Sequence, residues 1–291
     1  MASDFTKMAE VCILILARGG SKGIPRKNMV HFVSKSLIAH CISTARMVTK
    51  ADSVWVSTDD SAIAAESEAA GARVHHRSAA TSTDTASSLS AVLEFLGDRP
   101  EVGTVALLQC TSPLTRPEDV NRALEMLDGS YDSVFSLVRH RPGLIWRETE
   151  DGGLEPVNFD PLNRPRRQDL PSHLQESGNF YVTRAALVRS ERQLQAGRRG
   201  YVEVPPETAI DIDTPSDLEV ARLLARRSLT GSQRSTTEVN GSDGSGERST
   251  VEVRSIGAEE GTMEVKGSIK RSADGAEESV KRSATEVSEL Q

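Results

Sequence analysis

The chain has 291 residues and a formal charge of −7 at neutral pH, from 42 acidic and 35 basic side chains. This length can bury a full hydrophobic core, and the acidic balance argues against a general nucleic-acid surface, which needs a basic patch. The three cysteines are odd in number and widely spaced, which argues against a disulfide framework and favours reduced, buried thiols.

A short apolar run near the start of the chain, Val11 to Leu16, ends abruptly in a loop of glycines and cations. The run is typical of a strand buried on both faces, and in α/β folds the loops after such strands bind ligands. The loop contains Gly19, Gly20, Gly23, Arg18, Lys22, Arg26 and Lys27. Backbone N–H groups of glycines and a cluster of cations predict a polyphosphate site. A basic surface turn is the alternative, since the loop has neither Walker A nor GxGxxG spacing.

Helical and strand patterns alternate along the next part of the chain, which predicts a Rossmann-like α/β fold with a mostly parallel sheet and helices on both faces. We predict helices at 36–48, 61–70, 87–96, 118–127 and 215–227, and strands at 53–57, 72–74, 102–108, 131–138 and 176–182. Asp84 is a candidate cap for the helix at 87–96. Contact of this segment with a nucleotide is an equal alternative.

Two carboxylates stand close together in the segment Ile210–Asp213. Alternation along a strand would place Asp211 and Asp213 on one face and the two isoleucines on the other. Such carboxylates repel unless a cation lies between them, and carboxylate and phosphate oxygens are the usual ligands of Mg²⁺. We therefore expect a site for Mg²⁺, with Mn²⁺ as the alternative ion. Helix capping by Asp213 would explain one carboxylate but not both.

The regular pattern weakens at about 140–175, where prolines interrupt it, and this segment predicts an excursion from the core. Within it, the run Arg164–Gln168 holds three arginines suited to a carboxylate or a phosphate. A solvated basic loop or a nuclear-import patch is the alternative for this run. From 230 to 291 the composition is poor in apolar residues and short fragments ending in Glu-Val recur, so we predict a folded domain at 1–229 and a disordered low-complexity tail.

The loop ARGGSKGIPRKN resembles the signature loop of the CMP-sialic acid synthetases, the N-acylneuraminate cytidylyltransferases. Other motifs of that family follow in order: Arg77 before DTASS, then LLQCTSP, RPRRQ, a glycine turn before Tyr181, and IDIDTP. The resemblance implies a nucleotide-diphospho-sugar transferase type of fold and transfer of CMP from CTP to the anomeric hydroxyl of N-acetylneuraminate, with release of pyrophosphate. Members of the family usually carry asparagine before the glycine of the turn. Here Ser177 precedes Gly178 and Asn179 follows it, which leaves the polar contact at this turn open.

The resemblance also implies a role for individual residues. Nucleotide binding is expected from Arg18, Gly19, Gly20, Ser21, Lys22, Lys27, Asn28, Arg77 and Ser88. Sugar binding is expected from Gln109, Arg166 and Tyr181, although core packing is the alternative for the tyrosine. The expected catalytic residues are Lys22, Arg166, Asp211 and Asp213, and no protein nucleophile is expected.

In the resembled family the segment at 140–175 is a dimerisation arm that reaches over the partner's active site. This implies a homodimer, with a tetramer as the alternative, and we expect no nucleic-acid or membrane partner. No stretch approaches the about 20 apolar residues of a membrane helix, and cations follow the N-terminal apolar run where a signal peptide needs a cleavage site. We therefore expect the protein in the cytoplasm or the nucleus.

Two other functions stay open at this stage. The enzyme could activate a relative of sialic acid, another nonulosonate, since sugar preference depends on contacts that Gln109 and Tyr181 only begin to define. The chain could also be a nucleotide sensor without turnover. The paired carboxylates argue against a sensor, because a module that only binds a nucleotide has no need of them.

Overall fold

A computed structural model describes residues 9–231, 250–255, 265–273 and 276–281, with side chains for residues 9–227. Two compact units divide the chain, Met1–Arg222 and Leu223–Gln291. Among the helices of the described residues, none combines the length and the apolar character that crossing a membrane requires.

The first unit is built around one central sheet with helices beside it. The strands as far as residue 203 are β1 (Glu10–Leu16), β2 (His31–Phe32), β3 (Lys35–Ser36), β4 (Ser53–Thr58), β5 (Arg73–His76), β6 (Val102–Leu108), β7 (Ser133–His140), β8 (Trp146–Glu148), β9 (Leu154–Pro156), β10 (His173–Arg184) and β11 (Arg199–Glu203). The helices are α1 (Leu37–Arg46), α2 (Ser61–Ala69), α3 (Ser88–Asp98), α4 (Pro117–Gly129), α5 (Ala185–Glu191) and α6 (Pro215–Gly231).

The central sheet has seven strands in the order β11-β7-β10-β6-β1-β4-β5. Neighbouring strands run parallel except at β10, which is antiparallel to both β6 and β7. This confirms the predicted Rossmann-like, mostly parallel sheet. The registers pair Leu16 with Ser57 and Ile15 with Leu108, so β1, β4 and β6 end together at one edge. The segments that follow these three strands therefore converge at that edge.

Strand β1 is covered on both faces. Cys12 and Leu14 pack in a core cluster with Phe95 of α3 and Val188 of α5, and Trp55 of β4 belongs to the same cluster. Ile13 and Ile15, which alternation directs to the opposite face, are fully buried as well. The continuous apolar run in the sequence is explained by this double burial. All three cysteines are free and buried, as predicted.

The predicted helices and strands all have counterparts within a few residues, and two details differ from the predictions. Ile210–Asp213 forms no strand. It follows a 3-10 turn at Pro206–Thr208, and the Ile212 N–H donates to the Thr111 carbonyl instead of joining a ladder. Ile212 is buried while Asp211 and Asp213 are exposed. The side chains therefore alternate between exposed and buried as predicted, although the segment forms no strand. Helix α5 and strand β11 were not predicted, because each spans only seven residues or fewer.

The second difference concerns Asp84. Helix α3 begins at Ser88 and is capped by the Ser87 hydroxyl, which accepts from the Ser90 N–H at 3.1 Å. The prediction that Asp84 caps this helix was wrong, because Ser87 lies one position before the first helical residue and already supplies the accepting oxygen.

The segment between β7 and β10 leaves the central sheet, as predicted. Strands β8 and β9 pair only with each other, and short 3-10 turns follow at Pro161–Asn163 and Arg167–Asp169. We call residues 140–175 the arm; its two ends, His140 and His173–Gln175, still pair within the central sheet. The strand that returns to the sheet, β10, has a register shift between Glu176 and Tyr181, and Gly178 within it has a positive φ of 76°.

The predicted disordered tail contains three described strands: β12 (Thr250–Ser255), β13 (Val265–Ala273) and β14 (Ala276–Lys281). They form an antiparallel sheet of their own in the order β12-β13-β14. Val251, Val253 and Ile269 are β-branched, a residue type that favours strands. Disorder of the tail as a whole stays a prediction, and the remaining residues after 231 lie outside the described residues.

Candidate active site

A cavity of about 550 Å³ opens at the edge of the sheet where β1 and β6 end. Nine of the residues predicted for the site line it: Arg18, Ser21, Lys22, Lys27, Asn28, Arg77, Ser88, Gln109 and Asp213. Gly23 of the predicted polyphosphate loop and Asp84 line it too, and sequence reasoning missed Leu16, Ala86, Cys110 and Thr111, which complete the lining. The position of Cys110 and Thr111 directly after Gln109 was a signal that could have identified these two.

The loop after β1 is fixed to the end of the neighbouring strand, β4, by two hydrogen bonds. The Ala17 N–H donates to the Ser57 carbonyl at 3.0 Å, and the Gly19 N–H donates to Asp59 Oδ1 at 2.9 Å. The buried Asn28 closes the loop from the other side, because its Nδ2 donates to the Arg18 carbonyl at 3.0 Å. The Gly19 N–H is therefore already bonded. Neither Gly19 nor the exposed Gly20 is among the residues that line the cavity, in contrast to the predicted anion nest.

Asp84 lies between two of the cations of this loop. Its Oδ1 is 2.9 Å from Arg18 Nη1, and its Oδ2 is 2.7 Å from Lys22 Nζ. Arg18 Nη1 also donates to the Thr83 carbonyl at 2.8 Å. The hydrogen bond from Lys22 and the positive charges of Lys22 and Arg18 lower the pKa of the Asp84 carboxyl. A negatively charged group thus bridges Arg18 and Lys22.

Lys27 connects the loop to the segment before α6. Its Nζ donates to the Ile212 carbonyl at 2.7 Å and to Asp213 Oδ1 at 2.9 Å. The start of α6 is capped by other groups: the Thr214 N–H and hydroxyl donate to Asp217 Oδ2, and the Asp217 N–H donates back to the Thr214 hydroxyl. This reciprocal capping leaves the Asp213 carboxylate out of the helix cap. Asp213 is therefore free to face Lys27 and the cavity.

Arg77 enters the cavity from the segment after β5 and is held by its own turn. Its side chain donates to the Thr81 carbonyl, and Glu94 accepts hydrogen bonds from the Ser78 N–H at 2.7 Å and the Ser78 hydroxyl at 2.9 Å. Burial lowers the pKa of Arg77, opposed by the negative charges of Asp59 and Glu94. The guanidinium nevertheless stays charged, because an arginine pKa lies far above neutral pH. It brings a further cation to the cavity wall.

The residues predicted to bind the sugar are not all together. Gln109 lines the cavity, and its backbone N–H donates to the Asn179 backbone carbonyl at 3.1 Å. Tyr181 lies outside the lining: its hydroxyl donates to Glu176 Oε2 at 3.0 Å and its ring stacks on Phe135. Burial, followed by the nearby carboxylates of Glu176 and Asp211, raises the pKa of Tyr181.

Arg166 and Asp211 also lie outside the cavity lining. Arg166 is exposed on the arm, where its Nε and Nη2 donate to the two oxygens of Asp169 at 2.9 and 3.2 Å. Asp211 is exposed, two positions before Asp213. Within one copy of the chain, neither residue contributes to the cavity as Asp213 does.

The turn at Gly178 uses the asparagine that follows the glycine. Asn179 is buried, and its Nδ2 donates to Thr115 Oγ1 at 3.0 Å and to the Thr208 carbonyl at 2.8 Å. Since its carbonyl also accepts from Gln109, this one residue joins the ends of β6 and of the segment that leads to Asp213. The amide nitrogen of Asn179 is thus bonded inside the protein, whereas its Oδ1 and the Ser177 hydroxyl are buried without a hydrogen-bond partner among the described residues.

Residues 12–229 match the model of a family described as Cytidylyltransferase. The chain belongs to this cytidylyltransferase family. It is 44% identical over 223 residues to the N-acylneuraminate cytidylyltransferase of Oncorhynchus mykiss, covering 75% of this chain and 51% of that protein. It is 32% identical over 217 residues to the N-acylneuraminate cytidylyltransferase of Streptococcus agalactiae, covering 72% of this chain and 52% of that protein. The chain spans about half the length of these curated relatives.

Solved structures of other proteins share the fold of this chain. A CMP:2-keto-3-deoxy-manno-octonic acid synthetase solved with CTP has a TM-score of 0.56 at 22% identity, covering 75% of this chain and 99% of that one. A 4-diphosphocytidyl-2C-methyl-D-erythritol synthase from Anaerococcus prevotii has a TM-score of 0.55 at 13% identity, covering 75% and 96%. At these identities the comparison shows the fold alone, and it agrees with the predicted transferase type.

Gly23 provides a test of how closely the loop packs. A Cβ at this position would meet the backbone oxygen of Asp213, whereas a Cβ at Gly20 meets nothing within 4 Å. We expect Gly23→Ala to lower the free energy of unfolding by about 1–3 kcal/mol, because a backbone atom cannot yield as a flexible side chain can. Gly20→Ala is the matched control and should change it little. Chemical denaturation measures both variants, and equal stabilities would contradict the close packing of Gly23 on Asp213.

Proposed function

We propose that this protein transfers CMP from CTP to the anomeric hydroxyl of N-acetylneuraminate and releases pyrophosphate. The observation that supports it most is the convergence of Arg18, Lys22, Lys27 and Arg77 on one cavity with Asp213. Four cations around a cavity at the carboxyl edge of a sheet suit a nucleoside triphosphate. Membership of the cytidylyltransferase family favours CTP, and the names of the curated relatives favour an N-acylneuraminate as the acceptor.

In the proposed reaction the anomeric oxygen attacks the α-phosphorus of CTP in line with the leaving group. The new oxygen–phosphorus bond forms as the bond to pyrophosphate breaks, and the hydroxyl proton is lost to solvent or to a base. Negative charge grows on the α-phosphate and on the departing pyrophosphate, so fixed cations speed the step by electrostatic stabilisation. Arg18, Lys22 and Lys27 are assigned to the phosphates, Asn28 and Arg77 to the nucleoside, and Gln109 to the sugar acid.

A divalent cation belongs to this proposal, and the carboxylates fit it only together with the substrate. In the part of the chain with described side chains, no group of three or more His, Cys, Asp or Glu could hold a metal ion by itself. Asp213 lines the cavity and offers carboxylate oxygens. Mg²⁺ is commonly held by one or two carboxylates, substrate phosphates and water, and Mn²⁺ accepts the same ligands. Asp213 and, beside it, Asp211 would hold the ion, which supplies positive charge to the phosphates.

We also propose that the arm forms a homodimer, with a tetramer as the alternative. Large apolar side chains of the arm are exposed, namely Ile145, Trp146, Leu154, Val157, Leu162 and Leu174. Leu162 is 98% exposed, and a concentration of such side chains marks a protein–protein contact. A second copy is the partner that fits, since Arg166 on the same arm lies outside the cavity of its own chain. Arg166 would then reach the sugar site of the other copy.

Pyrophosphate release tests the function directly. With CTP and Mg²⁺, we expect the full chain to release pyrophosphate only when N-acetylneuraminate is present. If another nonulosonate supports release of pyrophosphate and N-acetylneuraminate does not, that sugar acid would replace N-acetylneuraminate in the proposal. Binding of CTP without release in the presence of any such sugar acid would contradict the enzyme and favour a nucleotide sensor. Location in the cytoplasm or the nucleus stays a prediction that this assay does not address.

Asp213→Asn tests the metal assignment. We expect kcat to fall by about 100-fold, the scale seen when one charge-stabilising group is removed from an active site. The dependence of the rate on Mg²⁺ concentration should also move to higher concentrations, because a ligand of the ion has lost its charge. Glu219→Gln, an exposed acid on α6, is the control and should keep both values. Unchanged kinetics in Asp213→Asn would remove Asp213 from the metal site.

The arm is tested by changing two of its exposed leucines together, Leu154→Glu and Leu162→Glu. We expect the wild-type chain to sediment with the mass of two copies and the double variant with the mass of one, since buried charges without partners oppose association. Met47→Glu adds a charge at an exposed apolar residue outside the arm and should leave the mass unchanged. Equal masses for all three proteins would contradict association through the arm.

A further inference from the structure

Asp84 is a carboxylate placed where the proposed function puts phosphate. Its two oxygens contact different cations, Arg18 Nη1 at 2.9 Å and Lys22 Nζ at 2.7 Å. All three side chains line the cavity. A phosphate group could bridge the two cations in the same way, through two oxygens on one atom. Carboxylates and phosphates both accept charge-assisted hydrogen bonds from arginine and lysine.

The local fold does not explain why an acid stands at this position. Helix α3 is capped by Ser87, so Asp84 has no capping role. The preceding turn is held by Glu94, which accepts from Ser78 and Thr81. The interactions of the Asp84 carboxylate are with the cationic loop across the cavity, and its side chain remains 42% exposed there. An incoming anion can therefore reach the same cations and the acid can turn away to solvent.

We propose that Asp84 is a built-in competitor for the phosphates of the nucleotide. It occupies Arg18 and Lys22 while the phosphate site is empty, gives them up when a triphosphate binds, and returns to them as pyrophosphate leaves. The inference rests on the proposed function, which assigns this cavity to a nucleoside triphosphate. No covalent bond changes in the exchange, which replaces one anion by another on the same two cations.

The exchange has two opposite effects on the reaction. A nucleotide binds less tightly than the bare cations would allow, because the two ion pairs of Asp84 must first be broken. Pyrophosphate leaves more readily, because the Asp84 carboxylate takes the place of pyrophosphate on Arg18 and Lys22. Without this carboxylate, the two cations would have no other partner and would hold pyrophosphate longer. A residue that instead positions the cations for substrate would have the reverse effect on binding, so the sign of one measurement separates the two roles.

Asp84→Asn in the full chain removes the negative charge while keeping the size of the side chain. Using calorimetry, we expect CTP and inorganic pyrophosphate to bind about threefold to tenfold more tightly than to the wild-type chain, the scale of one or two solvent-exposed ion pairs. Cytidine, which carries no phosphate, should bind equally to both. In the pyrophosphate-release assay, added pyrophosphate should inhibit Asp84→Asn at correspondingly lower concentrations.

Two further variants separate the competitor from simpler effects. Asp84→Glu keeps the carboxylate and should bind pyrophosphate much as the wild-type chain does. Asp128→Asn removes one negative charge at the opposite edge of the sheet, where a second cavity lies, and should leave binding unchanged. Tighter binding in Asp128→Asn to the same extent would overturn the proposal, because the effect would then belong to net charge.

Weaker or unchanged binding of CTP and pyrophosphate by Asp84→Asn would also overturn it. If Asp84→Asn unfolds at a lower denaturant concentration than the wild-type chain, the same binding measurements are made with Asp84→Ser, a second neutral variant. Failure of the proposed function has a separate signature. If the wild-type chain binds pyrophosphate but not CTP, the nucleotide assignment fails, while the comparison of the two chains with pyrophosphate still decides the role of Asp84.

Discussion

The contact of Lys27 with Ile212 and Asp213 joins the first loop of the fold to the segment before its last helix. Its Nζ bonds a carbonyl and a carboxylate 185 and 186 positions away along the chain. Gly23 packs on the Asp213 backbone, and Ile212 bonds the Thr111 carbonyl, so three separate segments meet there. The cavity therefore exists only when the whole sheet has formed. The charge at Asp213 is held in place by the same amine that the proposed reaction assigns to the phosphates.

The register of the strands in the central sheet brings the segments of the cavity together. Because β1, β4 and β6 end together, the loop at Arg18, the acid Asp59 and the amide Gln109 lie at one edge without further adjustment. The single reversed strand, β10, then brings Asn179 beside the end of β6. Charge is distributed over this edge in pairs: Arg18 and Lys22 with Asp84, and Lys27 with Asp213. The two carboxylates thus offset part of the positive charge of the cavity before any ligand binds, which reduces the mutual repulsion of its cations.

Much of the fold could be predicted from sequence, because burial leaves a periodic pattern. The run at 11–16 and the strand at 102–108 were placed correctly, as were helices with a clear apolar stripe. The site was predictable where motif and sheet edge coincide, as at Lys22 and Gln109. Contacts between distant side chains were not. Asp84 looks like a helix cap in the sequence, and only the folded chain places it beside Arg18. Ile210–Asp213 alternates like a strand, yet it finds no neighbouring strand to pair with. Arg166 depends on the path of the arm, which short-range patterns do not determine.

The two tryptophans of the chain occupy opposite environments. Trp55 is buried in the sheet against Phe95, with the guanidinium of Arg99 4.0 Å from the centre of its ring. Trp146 is exposed on the arm, edge-on to Phe159. Indole fluorescence depends on contact with water, so the chain carries one emitter that reports on its core and another that reports on its arm. Dissociation of the proposed dimer would then shift the emission of Trp146, and unfolding of the core would shift that of Trp55.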